Sequence, residues 1–434
     1  MQNSLIYIHG MSDIIIKSTK IPDIIKLLKN NFTIIENYFF MTFVQVIGSL
    51  IGILIYPFLI RKLGSESYGL YVFALSVTTY FFKIVSFGFS VPALKIISQN
   101  IDNQKIKNEV VSSVIFAKSY LAILSVIIFI ISLYFIPFLN QNKWIIIICF
   151  TQIISEIIYP NWYFQAVQKM RVVAILQLSI RLFSIPFIFL LIKKNTDIST
   201  YAIIASLSNI LVAIFSVIYL KWKENISIQY VSIKKLKIYY QDALPFFWSS
   251  SASVIKMESI TIIIGIFFNM TDVAYYDLAN KILLLPRLAT SSINDALFPK
   301  IIRNTQQLIV KKIIQVEIIL GLSVIAVIVI TGHWIVLVLG GVKMLFAYPL
   351  TIILSITILL NLIIGCYYYF IFIPKNKYYF ITQNQLISFT SFFIICISGV
   401  QIYHNIFIIV AALVLSGCCE VIYCNYLIKK HQLA

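Results

Sequence analysis

The sequence predicts an all-α polytopic membrane protein of about 12 transmembrane helices, arranged as two pseudo-symmetric six-helix lobes around a central cavity. Composition, apolar run lengths and the distribution of basic residues carry that expectation. Hydrophobic residues make up 60% of the chain and charged ones 12%, with a mean hydropathy of +0.94, which excludes the soluble globular class. Apolar runs long enough to cross a hydrocarbon core of about 30 Å fall near 38–60, 68–90, 112–136, 144–165, 172–192, 200–220, 244–268, 273–296, 314–339, 345–372, 379–401 and 405–428. Of the 34 Lys and Arg, 23 collect on one side of these spans, 6 on the other, and 5 lie within them. Basic loops mark the cytoplasmic side, so both termini are expected there.

The elements follow in order. Residues 1–37 form a cytoplasmic segment in which Ile14, Ile15, Ile16, Ile21, Ile24 and Leu27 alternate with lysines; the pattern predicts an interfacial helix and lacks the features of a signal peptide. Spans one to six make an N-lobe over 38–220, a basic inter-lobe loop covers 221–243, spans seven to twelve make a C-lobe over 244–428, and 429–434 is a cytoplasmic tail. Gly69, Tyr71 and Ala74 match Ala274, Tyr276 and Ala279 at a constant offset of 205. A parallel repeat of this kind implies a pseudo-two-fold along the membrane normal and a substrate path between lobes, as in many transporters.

The net charge of +18 is dispersed over short loops, among them Lys95, Lys105, Lys107 and Lys118, which argues against a nucleic-acid partner. The six cysteines fall in spans and have neither zinc-ligand nor redox spacing. Neither a nucleotide-binding loop nor a zinc-protease motif is present, no cofactor is implied, and the loops are too short for a catalytic domain.

Polar stripes inside the spans point to function. Ser76, Thr79, Lys83, Ser86 and Ser90 share one face of the second span; Ser249, Ser253 and Lys256 mark the seventh; Gln45, Ser49 and Tyr56 mark the first. The eighth carries Asp277 and Lys281 one turn apart, with Asn280, Arg287, Ser291 and Asn294 on a neighbouring face. A single Ser or Thr reads first as glue between helices. A cation in mid-bilayer costs roughly 2.5–3.5 kcal/mol on insertion scales and marks a hydrated cavity or a partner charge. Lys83 and Lys256 lack an acidic residue one turn away, so Lys83, Lys256, Lys281 and Arg287, with Gln45 and Ser253, are candidate ligands for an anionic substrate. For Lys281, pairing with Asp277 is an equal alternative.

Glu156 and Arg181 lie nine and ten residues from the same turn, about 14 Å deep at 1.5 Å per residue, and are expected to form a structural ion pair. Glu258, Asp277 and Asp295 are candidate proton or sodium sites.

Several of these residues sit in motifs that resemble the Wzx-type polysaccharide flippases, in the superfamily that also holds multidrug exporters and lipid II flippases. The likeness runs through the first hairpin with its "PFLIRKLG…YGLY" core (57–71), continues over 87–98, returns in "NWYFQAVQKMRVVA" (161–174) and over Gly265–Ile301 with "ALFPKI", and is looser at Gly365–Lys377. The resemblance implies a twelve-helix, two-lobe transporter whose substrate is an oligosaccharide repeat unit linked by pyrophosphate to undecaprenol. It implies no enzyme activity, coupling to protons or sodium, and a polysaccharide polymerase and chain-length regulator as partners. Ser86 and Lys95 depart from the family pattern. The first span lacks the acidic residue typical of bacterial multidrug exporters, and the two further helices of lipid II flippases are missing; both features favour the polysaccharide branch. An ion-coupled multidrug exporter and a membrane polymerase or glycosyltransferase are the alternatives; the latter class usually carries a long extracytoplasmic loop.

Overall fold

A computed structural model of the chain describes residues 32–301 and 307–432, except for the side chains of 32–35, 233–234, 249, 291–292, 295–301 and 307–309. Most of the expected interfacial N-terminal helix, and the side chains of Ser249, Ser291 and Asp295, lie outside the described residues. Fifteen α-helices follow one another: α1 Phe32–Ser86, α2 Ser90–Gln99, α3 Gln104–Phe135, α4 Pro137–Gln141, α5 Lys143–Phe150, α6 Ile153–Ile158, α7 Asn161–Ala166, α8 Met170–Leu191, α9 Ile198–Lys223, α10 Ile233–Phe267, α11 Met270–Ile301, α12 Gln307–Gly340, α13 Ala347–Tyr367, α14 Tyr378–Ile402 and α15 Ile406–Lys430. No strand occurs among the described residues. An all-helical chain satisfies its backbone groups internally, as lipid requires.

Among the described residues ten segments are long and apolar enough to cross a membrane, and two features reconcile them with the twelve expected spans. The segment Glu36–Ser86 runs through two expected spans and bends at Gly64, where φ 79° and ψ 163° leave the helical region. A left-handed φ favours glycine. Helix α11 is 32 residues long but carries Asp272, Asp277, Lys281, Arg287, Asp295 and Lys300, which keep it out of the apolar set.

Expected span four is broken into α5, α6 and α7. Polar side chains of α9 fill the break: Gln152 Nε2 donates to Ser206 Oγ (3.1 Å), Ser206 Oγ to the Ile148 carbonyl (3.1 Å), and Asn209 Nδ2 to Gln152 Oε1 (2.8 Å). Broken helices persist at membrane depth when neighbours satisfy the freed groups.

The chain forms two compact units. One holds the described residues up to Ile51 with Ala74–Ser251; the other holds Gly52–Phe73 with the described residues from Ala252 onward. They differ from the expected lobes at the first hairpin's tip and at the first turns of span seven, and packing within each unit explains both differences. In the first unit, Phe87 stacks on Phe247 at 4.6 Å between centroids and Tyr240 packs edge-on against Phe87 and Phe89, which holds the start of α10. In the second, a Cβ at Gly69 would run into the Met270 carbonyl, so α1 beyond its bend lies directly against the start of α11.

The core of the first unit gathers Phe89 and Ile97 of α2, Val111 of α3, Trp162, Tyr163 and Phe164 of α7, and Met170 of α8. Asn37 ties α1 to it by accepting from the Met170 amide (2.7 Å) and donating to the Gln168 carbonyl (2.6 Å), at a turn where Gln168 takes φ 57°. Glu224 accepts from Lys169 (2.5 Å) and from the Tyr163 hydroxyl (3.1 Å). In the second unit α13 is the central helix: 61% of its most apolar window is buried against 17% for α12, and it packs on α11, α12 and α15. All six cysteines are free.

One expected contact is replaced. Glu156 accepts from Lys118 Nζ at 2.8 Å, and no ion pair among the described residues includes Arg181, whose guanidinium lies against Gly48. Lys118 was assigned to a basic loop by its sequence position, yet its side chain is 3% exposed. It sits on a buried face of α3 with Val114 and Ala117, and its ammonium also donates to the Glu156 carbonyl at 2.8 Å.

Two outcomes test this packing. Gly69→Ala should destabilise the protein by about 1–3 kcal/mol through overpacking and lower its melting temperature in detergent, whereas Gly52→Ala, with open space around it, should not. Lys118→Met should cost about 3–5 kcal/mol by leaving Glu156 without its cation, Glu156→Gln in the same chain should restore most of it, and Arg181→Ala should be nearly silent in the same melt.

Candidate functional site

The four candidate cations resolve into two kinds of environment. Lys256 of α10 donates to Ser388 Oγ of α14 and pairs with Glu420 of α15 at 3.4 Å, the two charged side chains being 15% and 14% exposed. The absence of a local acid had suggested an uncompensated lysine. The partner instead comes from the last helix, 164 residues away in sequence.

Lys281 is compensated too. Its ammonium donates to Asp277 Oδ2 at 2.5 Å and to the Tyr68 hydroxyl at 3.0 Å, and that hydroxyl donates to Asp277 Oδ2 at 2.9 Å. The rings of Tyr56 and Tyr68 lie 5.5 and 5.6 Å from the same ammonium, within the range where an aromatic face attracts a cation. Tyr68 reaches this position because the glycine after it allows α1 to touch α11.

Lys83 and Arg287 differ: among the described residues neither has a carboxylate within ion-pair distance. Lys83 is half-buried near the end of α1, donates to Ser250 Oγ at the start of α10 and lies 6.0 Å from the Phe247 ring centroid. Glu156 acts on it only at longer range and is itself held by Lys118. Arg287 donates from one terminal nitrogen to Asn280 Oδ1 (3.0 Å) and from the other to Thr357 Oγ1 of α13 (3.1 Å). Its Nε is buried and has no acceptor. A guanidinium held by two neutral oxygens keeps its full charge, and its free Nε–H is a donor of the kind that pairs with an oxyanion.

The remaining predicted residues are not joined to these groups. Gln45 and Ser253 are exposed, and no hydrogen bond among the described residues connects either to a cation. Glu258 is half-buried and acts on Tyr276. Asp277 is committed to Lys281 and Tyr68.

Sequence reasoning passed over two intramembrane acids, Glu420 and Glu317. Glu317 of α12 is 1% exposed, accepts from the Cys366 thiol at 2.8 Å, and leaves Oε1 without a partner. Each stands alone in an apolar run, the same rarity that drew attention to the lysines.

Known proteins resemble the chain in sequence and in fold. Residues 34–305 match the family described as polysaccharide biosynthesis protein. A protein of Escherichia coli (strain K12) named "Putative O-antigen transporter" is 26% identical over 275 residues, 63% of this chain and 66% of that protein. One of the same name from Shigella dysenteriae is 20% identical over 273 residues, 61% and 67% of the two chains. The chain thus spans about two thirds of the length of these relatives. Among solved structures, the lipid II flippase MurJ in an inward closed conformation aligns with a TM-score of 0.66 at 17% identity, covering 89% of this chain and 87% of that one. An inward-facing multidrug resistance MATE family transporter of the MOP superfamily aligns with a TM-score of 0.61 at 14% identity, covering 89% and 94%. These likenesses establish a shared fold, and with the match over residues 34–305 the chain belongs to the polysaccharide biosynthesis protein family.

Proposed function

We propose that the chain is a flippase that carries undecaprenyl-pyrophosphate-linked oligosaccharide repeat units across the bacterial inner membrane for O-antigen, capsule or exopolysaccharide synthesis. Both termini are cytoplasmic in this reading, and a proton or sodium gradient drives an alternating-access cycle between the lobes predicted at 38–220 and 244–428. No covalent bond is made or broken.

The observation that carries the reading is the uncompensated charge of Lys83 and Arg287. Each is held by neutral oxygens alone, so an anion gains a charge-assisted contact without first displacing a carboxylate. Pyrophosphate or an acidic sugar meets that requirement, and the polyprenyl chain stays in lipid. Family membership supports a role in polysaccharide biosynthesis, and the names of the relatives support an O-antigen-like cargo. An exporter of cationic drugs would call for unpaired acids where these unpaired cations stand.

The test is transport in liposomes that hold a fluorescent polyprenyl-pyrophosphate oligosaccharide in one leaflet, read by the access of a membrane-impermeant glycosidase from the other side. The protein should accelerate exposure. Lys83→Ala and Arg287→Ala should each slow it about tenfold or more, the loss expected when a hydrogen bond to a charged group worth about 1.5–3 kcal/mol disappears. Unchanged transport by the double variant would refute the assignment of these residues.

A further inference from the structure

The pair of Lys256 and Glu420 ties α10 to α15 in a shielded setting, 15% and 14% exposed. The groups that act on Glu420 are few: Lys256 from α10, Ser388 from α14, Tyr368 from the turn after α13, and Cys424 on its own helix. The Tyr368 hydroxyl is engaged by Asn384 Nδ2 at 2.9 Å. Lys256 is therefore the one cation acting on Glu420 among the described residues. Lys256 in turn holds two partners at once, Ser388 and Glu420.

We propose that Glu420 is an exchangeable counter-ion: an anionic substrate takes Lys256 from it, and the freed carboxylate binds a proton from water. This rests on the reading that the chain binds an anionic cargo. The balance is simple. Before binding, ammonium and carboxylate neutralise each other; afterwards ammonium and substrate do so, and one O–H bond forms at Glu420. A shielded carboxylate without a cation takes up a proton rather than stay charged. By linkage, protonation of Glu420 tightens anion binding by the same factor. Asp277 differs, because the Tyr68 hydroxyl would still donate to it without Lys281.

Farnesyl pyrophosphate binding to the purified protein in nanodiscs, followed by calorimetry and by an indicator dye in weak buffer, tests this. Wild type should take up about one proton more per molecule bound than Glu420→Gln, and its affinity should fall about tenfold more per unit rise in pH; comparison at one pH cancels the ligand's own titration. Glu420→Gln should bind at least as tightly. Lys256→Gln, in which Glu420 has already lost its cation, should also show no extra uptake and serves if the first variant does not fold. Equal proton counts in wild type and variant would overturn this inference alone, as would loss of binding in a folded Glu420→Gln. Failure of wild type and Glu420→Gln alike to bind would overturn the anion reading together with it.

Discussion

A charge inside a bilayer has no water to stabilise it, and most of the described interior is arranged around that constraint. Lys118, Lys256 and Lys281 each hold a carboxylate within 4 Å. Each of these pairs joins helices or steadies one: α3 to α6, α10 to α15, and Asp277 and Lys281 of α11 with Tyr68 of α1. Among the described residues Lys83, Arg181 and Arg287 hold no carboxylate; Arg181 is exposed, whereas Lys83 and Arg287 are partly buried and their partners are hydroxyl and amide oxygens that leave the charge intact. A partly buried cation whose partners are neutral is where an external anion gains most.

The helical architecture was legible because hydropathy is a local property. Spans expected at 172–192, 200–220 and 379–401 correspond to α8, α9 and α14 within a few residues, and the first hairpin appears as one helix bent at Gly64 because glycine accepts the φ there. Partners were less legible because they depend on which helices touch. Lys281 and Asp277 are one turn apart and could be read directly. Lys256 and Glu420 are 164 residues apart, and Lys118 and Glu156 are 38 apart. Depth matching made Arg181 the natural partner of Glu156, but two residues at one depth can face different neighbours. Lys118 was missed for a related reason: its charge groups it with the basic loop residues Lys95, Lys105 and Lys107, yet it lies well inside α3, which begins at Gln104, and its partner Glu156 sits on another helix.

The family match ends at residue 305, so the helices that supply Thr357, Ser388 and Glu420 stand outside it. There the fold likeness to MurJ and MATE transporters, at 17% and 14% identity, says how the helices run and nothing about cargo. The chemistry of that half is read from its own side chains. It places an acid on each of α12 and α15: Glu420 holds a cation, while Glu317 faces a thiol and leaves one oxygen without a partner. Two carboxyls in such unlike settings are suited to unlike roles, one exchanging its partner and the other remaining fixed in the packing.

The central proposal is that Lys83 and Arg287, each within its own unit, contact anionic groups of the cargo. Solid-state NMR dephasing between the 31P nuclei of a bound polyprenyl pyrophosphate and 15N-labelled lysine and arginine side chains measures that contact directly. The account predicts dephasing of one lysine and one arginine signal that disappears in Lys83→Ala and Arg287→Ala respectively. Dephasing that survives both substitutions, or none at all with the lipid demonstrably bound, would contradict it.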